Sequence, residues 1–246
     1  MSLQPESISL NKRISASGFC SRREADKLIE QGRVTVNDNL ALPGTRVFIT
    51  DKIYIDDEIL KFAKSGKDKT FIIALNKPLN ITCTTDEKDK TNVIRFLKHP
   101  KRIFPIGRLD KDSEGLLFLT NDGDIVNKIL RAGNAHEKEY IVTVDKKITP
   151  EFISKMGNGV RILGTKTLPC KVWQSGSRSF HIILTQGLNR QIRRMCEAFD
   201  YNVISLKRIR IMHIQLGALK TGAWRYVSEP ELKSIMEQIE DSRNEA

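Results

Sequence analysis

The chain has 246 residues, and 39% of them are hydrophobic, which is enough for one substantial core and a second, smaller one. It carries 41 lysines and arginines against 30 acidic residues, and this net charge of +11 favours a polyanionic partner. The four cysteines lie far apart without a C-x-x-C pair, which argues against a zinc site or a disulfide framework and is typical of a reducing compartment.

The sequence contains no candidate targeting or membrane segment. Met1 to Lys12 lacks an apolar core of signal-peptide length. The longest apolar stretch, around Phe71 to Leu75, is too short to cross a bilayer. We therefore expect a cytoplasmic protein without a membrane partner.

Residues 1–64 predict a small α+β unit. Ser9 precedes a short helical pattern, and Ser21-Arg22-Arg23-Glu24 places serine and glutamate at the spacing of a capping box that begins a second helix. Val34-Thr35-Val36 then predicts a strand that enters a turn at Asn37-Asp38-Asn39, and short strands follow at Val47–Ile49 and Ile53–Ile55. The polar stretch 65–70 has no periodicity and predicts a flexible linker.

Basic side chains in this unit avoid the apolar positions of the helices and of the first strand: Lys12, Arg13, Arg22, Arg23 and Arg33. By charge alone they would be an ordinary solvated face. The string that runs from Leu10-Asn11-Lys12 through Ser21–Asp26 to Gly32–Asn37 closely resembles the S4 RNA-binding module. The resemblance implies that these basic residues contact phosphates and that the module reads RNA shape without doing chemistry.

Residues 71–246 predict a second domain of the α+β class, with a mixed, largely antiparallel sheet flanked by helices. The predicted strands are interspersed with helices rather than strictly alternating with them. They include Phe71–Leu75, Leu116–Leu119, Tyr140–Val144 and Phe180–Leu184. Apolar residues at helical spacing near the end of the chain predict a docked C-terminal helix: Leu232, Ile235, Met236 and Ile239.

The stretch Phe104–Leu117 places a carboxylate and an arginine in a short polar loop just ahead of an apolar strand. Catalytic groups are commonly carried by loops on a rigid scaffold. From the residues alone, Asp110, Asp112 and Glu114 fit either a charged turn or a magnesium site in a metal-dependent RNA nuclease.

Gly107-Arg108-Leu109-Asp110 resembles the signature of pseudouridine synthases in the RsuA group of rRNA-modifying enzymes. The resemblance continues in Asn127–Asn134, Glu137–Tyr140 and Gly187–Met195. Its nearest branch is the RluF type, which modifies a large-subunit rRNA uridine. Together with the S4-like module, the resemblance covers nearly the whole chain.

The resemblance also implies a role for each motif residue. Asp110 would be the nucleophile that attacks the uridine, Tyr140 would pack against the target base and assist proton removal, and Arg193 would form an ion pair with Asp110. Arg108 would hold the RNA with the base flipped. Further RNA contacts are expected at Leu109, Lys111, Arg190, Gln191 and Arg194.

These roles agree with elementary chemistry. A uridine must leave its stack before a side chain can reach it, and stacking and basic groups offset that cost. The nucleophile must be ionised, which a permanently charged arginine favours. Between Asn189 and Tyr201 the helical period predicts a buried stripe of Ile192, Met195, Cys196 and Phe199, with the arginines on another face.

Isomerising a uridine requires no redox step and no phosphoryl transfer, so we expect no cofactor and no metal. The expected partner is structured RNA, either large-subunit rRNA or transfer RNA, and the expected state is a monomer. An S4-type RNA-binding protein without catalysis is one alternative, and the nuclease is the other. The sequence leaves open whether Asp110 attacks the base or the ribose.

Trp173 and Trp224 are predicted to be core anchors.

Overall fold

The computed structural model describes residues 7–62, 69–130 and 136–241, apart from the side chains of Asn127 and Asp241. The chain forms two compact units, one up to Asp68 and one from Lys69 onward. Most of the predicted linker 65–70 and the end of the motif 127–134 lie outside the described residues. Within those residues, no helix is both long and apolar enough to cross a membrane.

The first unit combines two helices with short strands. Its elements are β1 (Ile8–Ser9), α1 (Leu10–Ala16), α2 (Arg22–Glu30), β2 (Val34–Val36), β3 (Asn39–Leu40), β4 (Arg46–Val47), β5 (Ile53–Ile55) and β6 (Glu58–Ile59). Four strands form a sheet in the order β3-β2-β5-β6, and β1 pairs with β4. Both helices and the sheet contribute to one core, which includes Leu10, Ile14, Ile29, Val34 and Ile53.

Local signals place the elements of this unit. The predicted capping box of α2 is present, since the Glu24 N–H donates to the Ser21 hydroxyl and the Ser21 N–H donates to the Glu24 carboxylate. Asn37 and Asp38 adopt left-handed backbone angles, as the predicted turn requires. The strand predicted over Val47–Ile49 ends at Val47, because the Asp51 carboxylate accepts the Phe48 N–H and closes a turn there.

The second unit is built on one large mixed sheet. Its strands are β7 (Ile72–Lys77), β8 (Phe104–Ile106), β9 (Glu114–Thr120), β10 (Lys138–Val144), β11 (Arg161–Ile162), β12 (Thr165–Lys166), β13 (Lys171–Gly176), β14 (Ser179–Leu184), β15 (Val203–Ile211), β16 (Ile214–Gln215) and β17 (Trp224–Tyr226). The order is β13-β14-β10-β15-β9-β7-β17, with β8 beside β9 and β16 beside β15, while β11 and β12 form a separate pair. In the described sheet only β9 and β15 pair in parallel, which confirms the predicted class.

Helices cover both sides of this sheet. They are α3 (Val93–Leu97), α4 (Gly123–Leu130), α5 (Pro150–Gly157), α6 (Gln191–Glu197) and α7 (Glu229–Asp241). Helices α4 and α7 pack against one side, and the predicted docking of the C-terminal helix is confirmed by the burial of Ile235 and Ile239. Helices α3, α5 and α6 pack against the other side. We call these sides the α7 face and the α6 face.

A partly exposed ion pair connects α7 to β17, the last strand of the chain. Arg225 donates to both carboxylate oxygens of Glu231, at 2.7 and 2.8 Å, and the Ser228 N–H donates to the same carboxylate. The hydrogen bonds from Arg225 lower the pKa of Glu231 from 4.5 to about 2. Because the folded pKa lies below the unfolded one, this pair stabilises the fold above pH 4.5 and loses its effect as the pH falls toward 2.

We therefore expect Glu231→Gln to lower the free energy of unfolding by about 2 kcal/mol at pH 7, with the difference from the parent shrinking as the pH drops below 4.5. Urea denaturation across this range measures it. The matched control is Glu237→Gln in the same helix, because the Glu237 carboxylate lies 3.9 Å from Lys233 and both side chains are exposed. A pH-independent difference for Glu231→Gln would contradict the assignment.

Candidate active site

The polar loop between β8 and β9, which we call the motif loop, lies on the α6 face. Leu109, which was predicted to contact RNA, is only 6% exposed. It packs in the core beneath α3, and its N–H donates to the Cys83 sulfur at 3.3 Å. Leu109 therefore anchors the loop instead, and the neighbouring Asp110 keeps 34% of its side chain exposed.

Two arginines at the start of α6 hold this loop. Arg193 is buried, and its Nη2 donates to the Asp112 carbonyl at 2.8 Å and to the Ser113 hydroxyl at 3.3 Å. Arg190 donates to both Asp112 carboxylate oxygens, and its Nη1 lies 3.6 Å from Asp110 Oδ2.

The predicted ion pair between Arg193 and Asp110 is therefore not found among the described residues. In the described chain Arg193 pairs with Asp112, at 3.3 Å, and the cation beside Asp110 is Arg190. The reason is the position of each side chain, since Arg193 is inserted into the protein and reaches the main chain of the loop, whereas Arg190 is exposed.

Buried cations surround the two carboxylates. Burial raises the pKa of Asp112, but the hydrogen bonds from Arg190 and the charge of Arg193 outweigh it and leave the pKa lowered. Lys77, at the end of β7, is fully buried, and its ammonium donates to the carbonyls of Pro78 and Ile81. Burial lowers the pKa of Lys77, while the charges of Asp110 and Asp112 act in the opposite direction.

Arg208 on β15 reaches the same region through the one parallel ladder of the described sheet. It is 3% exposed, pairs in register with Gly115, and donates from Nε to the Leu116 carbonyl at 2.6 Å. Gly115 has a φ of +106°, and a Cβ there would lie 2.2 Å from the Arg208 carbonyl oxygen. Glycine is therefore required for β15 to approach the start of β9 this closely.

Tyr140 lies next to Arg208 across the β10–β15 ladder. Its half-buried ring packs against two cores on the α6 face, one beneath α5 and α6 and one beneath α3. The ring centre lies 5.9 Å from the Arg208 guanidinium carbon. Two residues earlier, burial and the charge of Arg208 lower the pKa of Lys138 to about 8. Asp110, Tyr140 and a group of buried cations thus share one face of the sheet.

Sequence reasoning did not single out three of these cations, Lys77, Lys138 and Arg208. A signal exists for two of them. Lys77 ends an apolar strand at a buried position. Arg208 is two residues after the buried Leu206, so the two side chains lie on the same side of β15. Side chains along a strand alternate between the two faces of the sheet. A basic residue at a strand position that this alternation assigns to the interior is a candidate site residue.

Comparison with known proteins decides the family. Residues 71–198 match the family model for RNA pseudouridylate synthase, and residues 9–53 match that for the S4 domain. The chain belongs to the RNA pseudouridylate synthase family. It is thus an isomerase that converts uridine in RNA to pseudouridine, with an N-terminal S4 RNA-binding domain.

Individual relatives agree with this assignment. The synthase is 53% identical over 244 residues to "Dual-specificity RNA pseudouridine synthase RluF" of Salmonella typhi, covering 99% of this chain and 84% of the relative. It is 34% identical to "Ribosomal large subunit pseudouridine synthase B" of Bacillus subtilis (strain 168), covering 96% and 98% of the two chains. A solved pseudouridylate synthase superposes with a TM-score of 0.68 at 27% identity, covering 93% of this chain and all of that one.

The remaining predicted contacts of the synthase domain differ in exposure. Arg108 and Lys111 are exposed on the motif loop, as an RNA contact requires. Gln191 is buried, and its side chain accepts the Leu188 N–H, so it shapes the start of α6. Arg194 donates to the Asn189 carbonyl and side chain.

The basic residues of the S4 domain also differ in setting. Arg22 and Arg23 are exposed at the start of α2, and Lys12 is half-buried. Arg33 donates to both carboxylate oxygens of Asp56. Arg13 lies 3.8 Å over the Phe62 ring and donates to the Ile49 carbonyl, and burial lowers its pKa.

The geometry speaks against the nuclease alternative. Asp112 is bound by Arg190 and Arg193, whereas Glu114 pairs with Lys207 on the α7 face. The three acidic residues therefore do not converge on one point. Within the described ranges, no group of three or more histidine, cysteine or acidic side chains is placed to hold a metal ion.

Proposed function

We propose that the synthase isomerises a uridine of large-subunit rRNA, with Asp110 as the nucleophile. The observation that carries this proposal is the accessible Asp110 carboxylate, 3.6 Å from Arg190, in a loop that the buried Arg193 holds. The basic side chains around it attract the RNA backbone. The names of the relatives support rRNA, and the term "dual-specificity" supports a second structured RNA, for which transfer RNA is our candidate.

The reaction breaks the bond between N1 of uracil and C1′ of the ribose, turns the base and joins C1′ to C5. The C5 hydrogen leaves as a proton and N1, released from the ribose, takes up a proton, so the composition of the nucleotide is unchanged. Asp110 supplies the electron pair that activates the nucleotide, either at the base or at the ribose, and its carboxylate is regenerated when the new bond forms.

Tyr140 and Arg208 complete the proposed site. The half-buried Tyr140 ring offers a surface for the flipped base, and its phenol oxygen is available for the proton removed from C5. The Nη2 of Arg208 is buried and has no hydrogen-bond partner among the described residues. We propose that it donates to a carbonyl oxygen of the uracil, which also fixes the orientation of the base.

The S4 domain is proposed to raise affinity for the correct RNA. Removing residues 1–68 leaves a unit with its own cores, so we expect it to fold. We expect RNA affinity to fall by at least about 10-fold, because one of two tethered binding surfaces is lost. Filter binding and saturating turnover separate affinity from chemistry.

A double variant of the intact chain, Arg22→Ala with Arg23→Ala, serves as the comparison for this truncation. It should reproduce part of the loss in affinity, since both side chains are exposed at the start of α2. Unchanged affinity of the truncated protein would remove the targeting role from the S4 domain.

The proposed substrate is tested by pseudouridine mapping of rRNA and transfer RNA from cells with and without this gene. Complementation uses the parent and Asp110→Asn. A single large-subunit uridine that loses its modification, and regains it only with the parent, is the expected result. Loss at a small-subunit position alone would contradict the proposed substrate class.

A further inference from the structure

Two exposed rings mark the end of the large sheet. Trp224 and Tyr226 on the edge strand β17 are 38% and 50% exposed. Trp224 was predicted to be a core anchor. It is partly exposed instead, because β17 is the edge strand of the described sheet and has a neighbouring strand on one side only. Its ladder partner is Leu75, which packs in the core beneath α3, so the ring lies on the α6 face, as does the loop that carries Asp110.

These rings are held in place by one another and by a histidine. The Trp224 and Tyr226 rings meet edge to face, with centres 5.4 Å apart and an angle of 89°. The Tyr226 hydroxyl lies 2.9 Å from His99 Nε2, and the other ring nitrogen of His99 contacts the backbone of Lys101. A fourth ring, Phe71, meets Tyr226 edge to face at 5.4 Å. The cluster is therefore pre-organised, which reduces the entropy lost when a ligand stacks on it.

The chain segments that form this edge are strongly basic. Residues 92–106 and 216–228 together hold six lysines and arginines and no acidic residue. The two segments are in contact, because a Cβ on Gly222 would lie 3.6 Å from the Phe96 ring. Arg225 pairs with Glu231, and the other five basic side chains are exposed: Arg95, Lys98, Lys101, Arg102 and Lys220.

We propose that this aromatic edge, defined by Trp224, Tyr226 and His99, binds unpaired nucleotides of the RNA substrate outside the active site. Their bases would stack on the exposed rings, and the basic side chains would meet their phosphates. Strand β17 lies two strands, about 10 Å, from β9, and the Trp224 ring is on the α6 face together with the loop before β9 that carries Asp110. We therefore propose that one RNA strand contacts both places. The inference rests on the proposed function only in taking RNA as the ligand.

The other tryptophan provides an internal control. Trp173 is 40% exposed, at the opposite end of the sheet, and it pairs with His181, which in turn pairs with Ile141. Ile141 follows Tyr140 on β10, so Trp173 lies on the α7 face. One side of its ring is already stacked on His181, with centres 4.9 Å apart at an angle of 24°.

Because the chain has two tryptophans, each can be made the only one. Trp173→Phe leaves Trp224 as the sole emitter, and Trp224→Phe leaves Trp173. Each full-length variant is titrated with single-stranded oligouridylate and with a blunt-ended RNA duplex. We expect oligouridylate to quench Trp224 and to leave Trp173 unchanged, and the duplex, whose bases are already stacked, to have little effect on either.

A truncation of the side chain measures the contribution to binding. Trp224→Ala should raise the Kd for oligouridylate by about 10-fold and leave turnover at saturating RNA unchanged, whereas Trp173→Ala should leave the Kd unchanged. An unquenched Trp224, equal quenching by the duplex, or an unchanged Kd in Trp224→Ala would overturn the proposal.

The same titration on Asp110→Asn separates this inference from the proposed function. Quenching of Trp224 that persists there supports the aromatic edge whatever the activity of the protein. Absence of pseudouridine formation by the parent, with quenching retained, would refute the proposed reaction and leave the binding surface in place.

Discussion

Replacing Asp110 by asparagine is expected to lower turnover by more than about 10⁴-fold and to change RNA affinity by less than about threefold. The amide keeps the shape of the side chain but cannot supply the electron pair of a carboxylate. Binding should persist because we expect the basic side chains around the loop, and not Asp110, to contact the phosphates. Single-turnover release of tritium from RNA labelled at uracil C5 measures the reaction directly, since the C5 hydrogen leaves during isomerisation.

Asp112→Asn is the matched control for this experiment. Its carboxylate is two residues away and is bound by the same Arg190, yet we assign it a structural role. We expect a loss of only about 10-fold, because the Arg193 contact to the Asp112 main chain remains. Substantial turnover in Asp110→Asn, or an equal loss in Asp112→Asn, would move the nucleophile away from Asp110.

Arg193→Met is expected to produce the second large effect. Arg193 is 7% exposed and joins α6 to the motif loop through the Asp112 carbonyl and the Ser113 hydroxyl. Methionine fills much of the volume but leaves both acceptors without a partner. We expect the free energy of unfolding to fall by about 3 kcal/mol, and turnover to fall by about 100-fold as the loop shifts.

Two readouts distinguish loop positioning from a general loss of stability. Turnover is measured at a temperature where urea denaturation shows the variant to be folded, and RNA affinity is measured on the same sample. A lower kcat with nearly unchanged affinity is the expected outcome. Arg194→Met, one residue along and half-buried, should preserve both stability and turnover. Equal defects in the two variants would argue against a specific role for Arg193.

The local elements and the family motifs were predictable from short stretches of sequence. The capping box at Ser21 and Glu24, the turn at Asn37-Asp38 and the docked face of α7 depend on residues a few positions apart, so their signals are contained in a short stretch. The Gly107–Asp110 motif likewise identifies the loop and the candidate nucleophile from four consecutive residues.

The groups that surround that nucleophile depend on long-range packing and could not be predicted from the sequence. Arg190 and Arg193 are three residues apart and equally charged, and the packing of α6 against the β8–β9 loop determines that one is exposed beside Asp110 and the other buried beneath Asp112. The burial of Arg208 follows from the parallel approach of β15 to Gly115. The exposure of Trp224 follows from its place on the last strand of the sheet. Such contacts join residues tens of positions apart, and a hydropathy pattern carries no information about which distant element meets a given side chain.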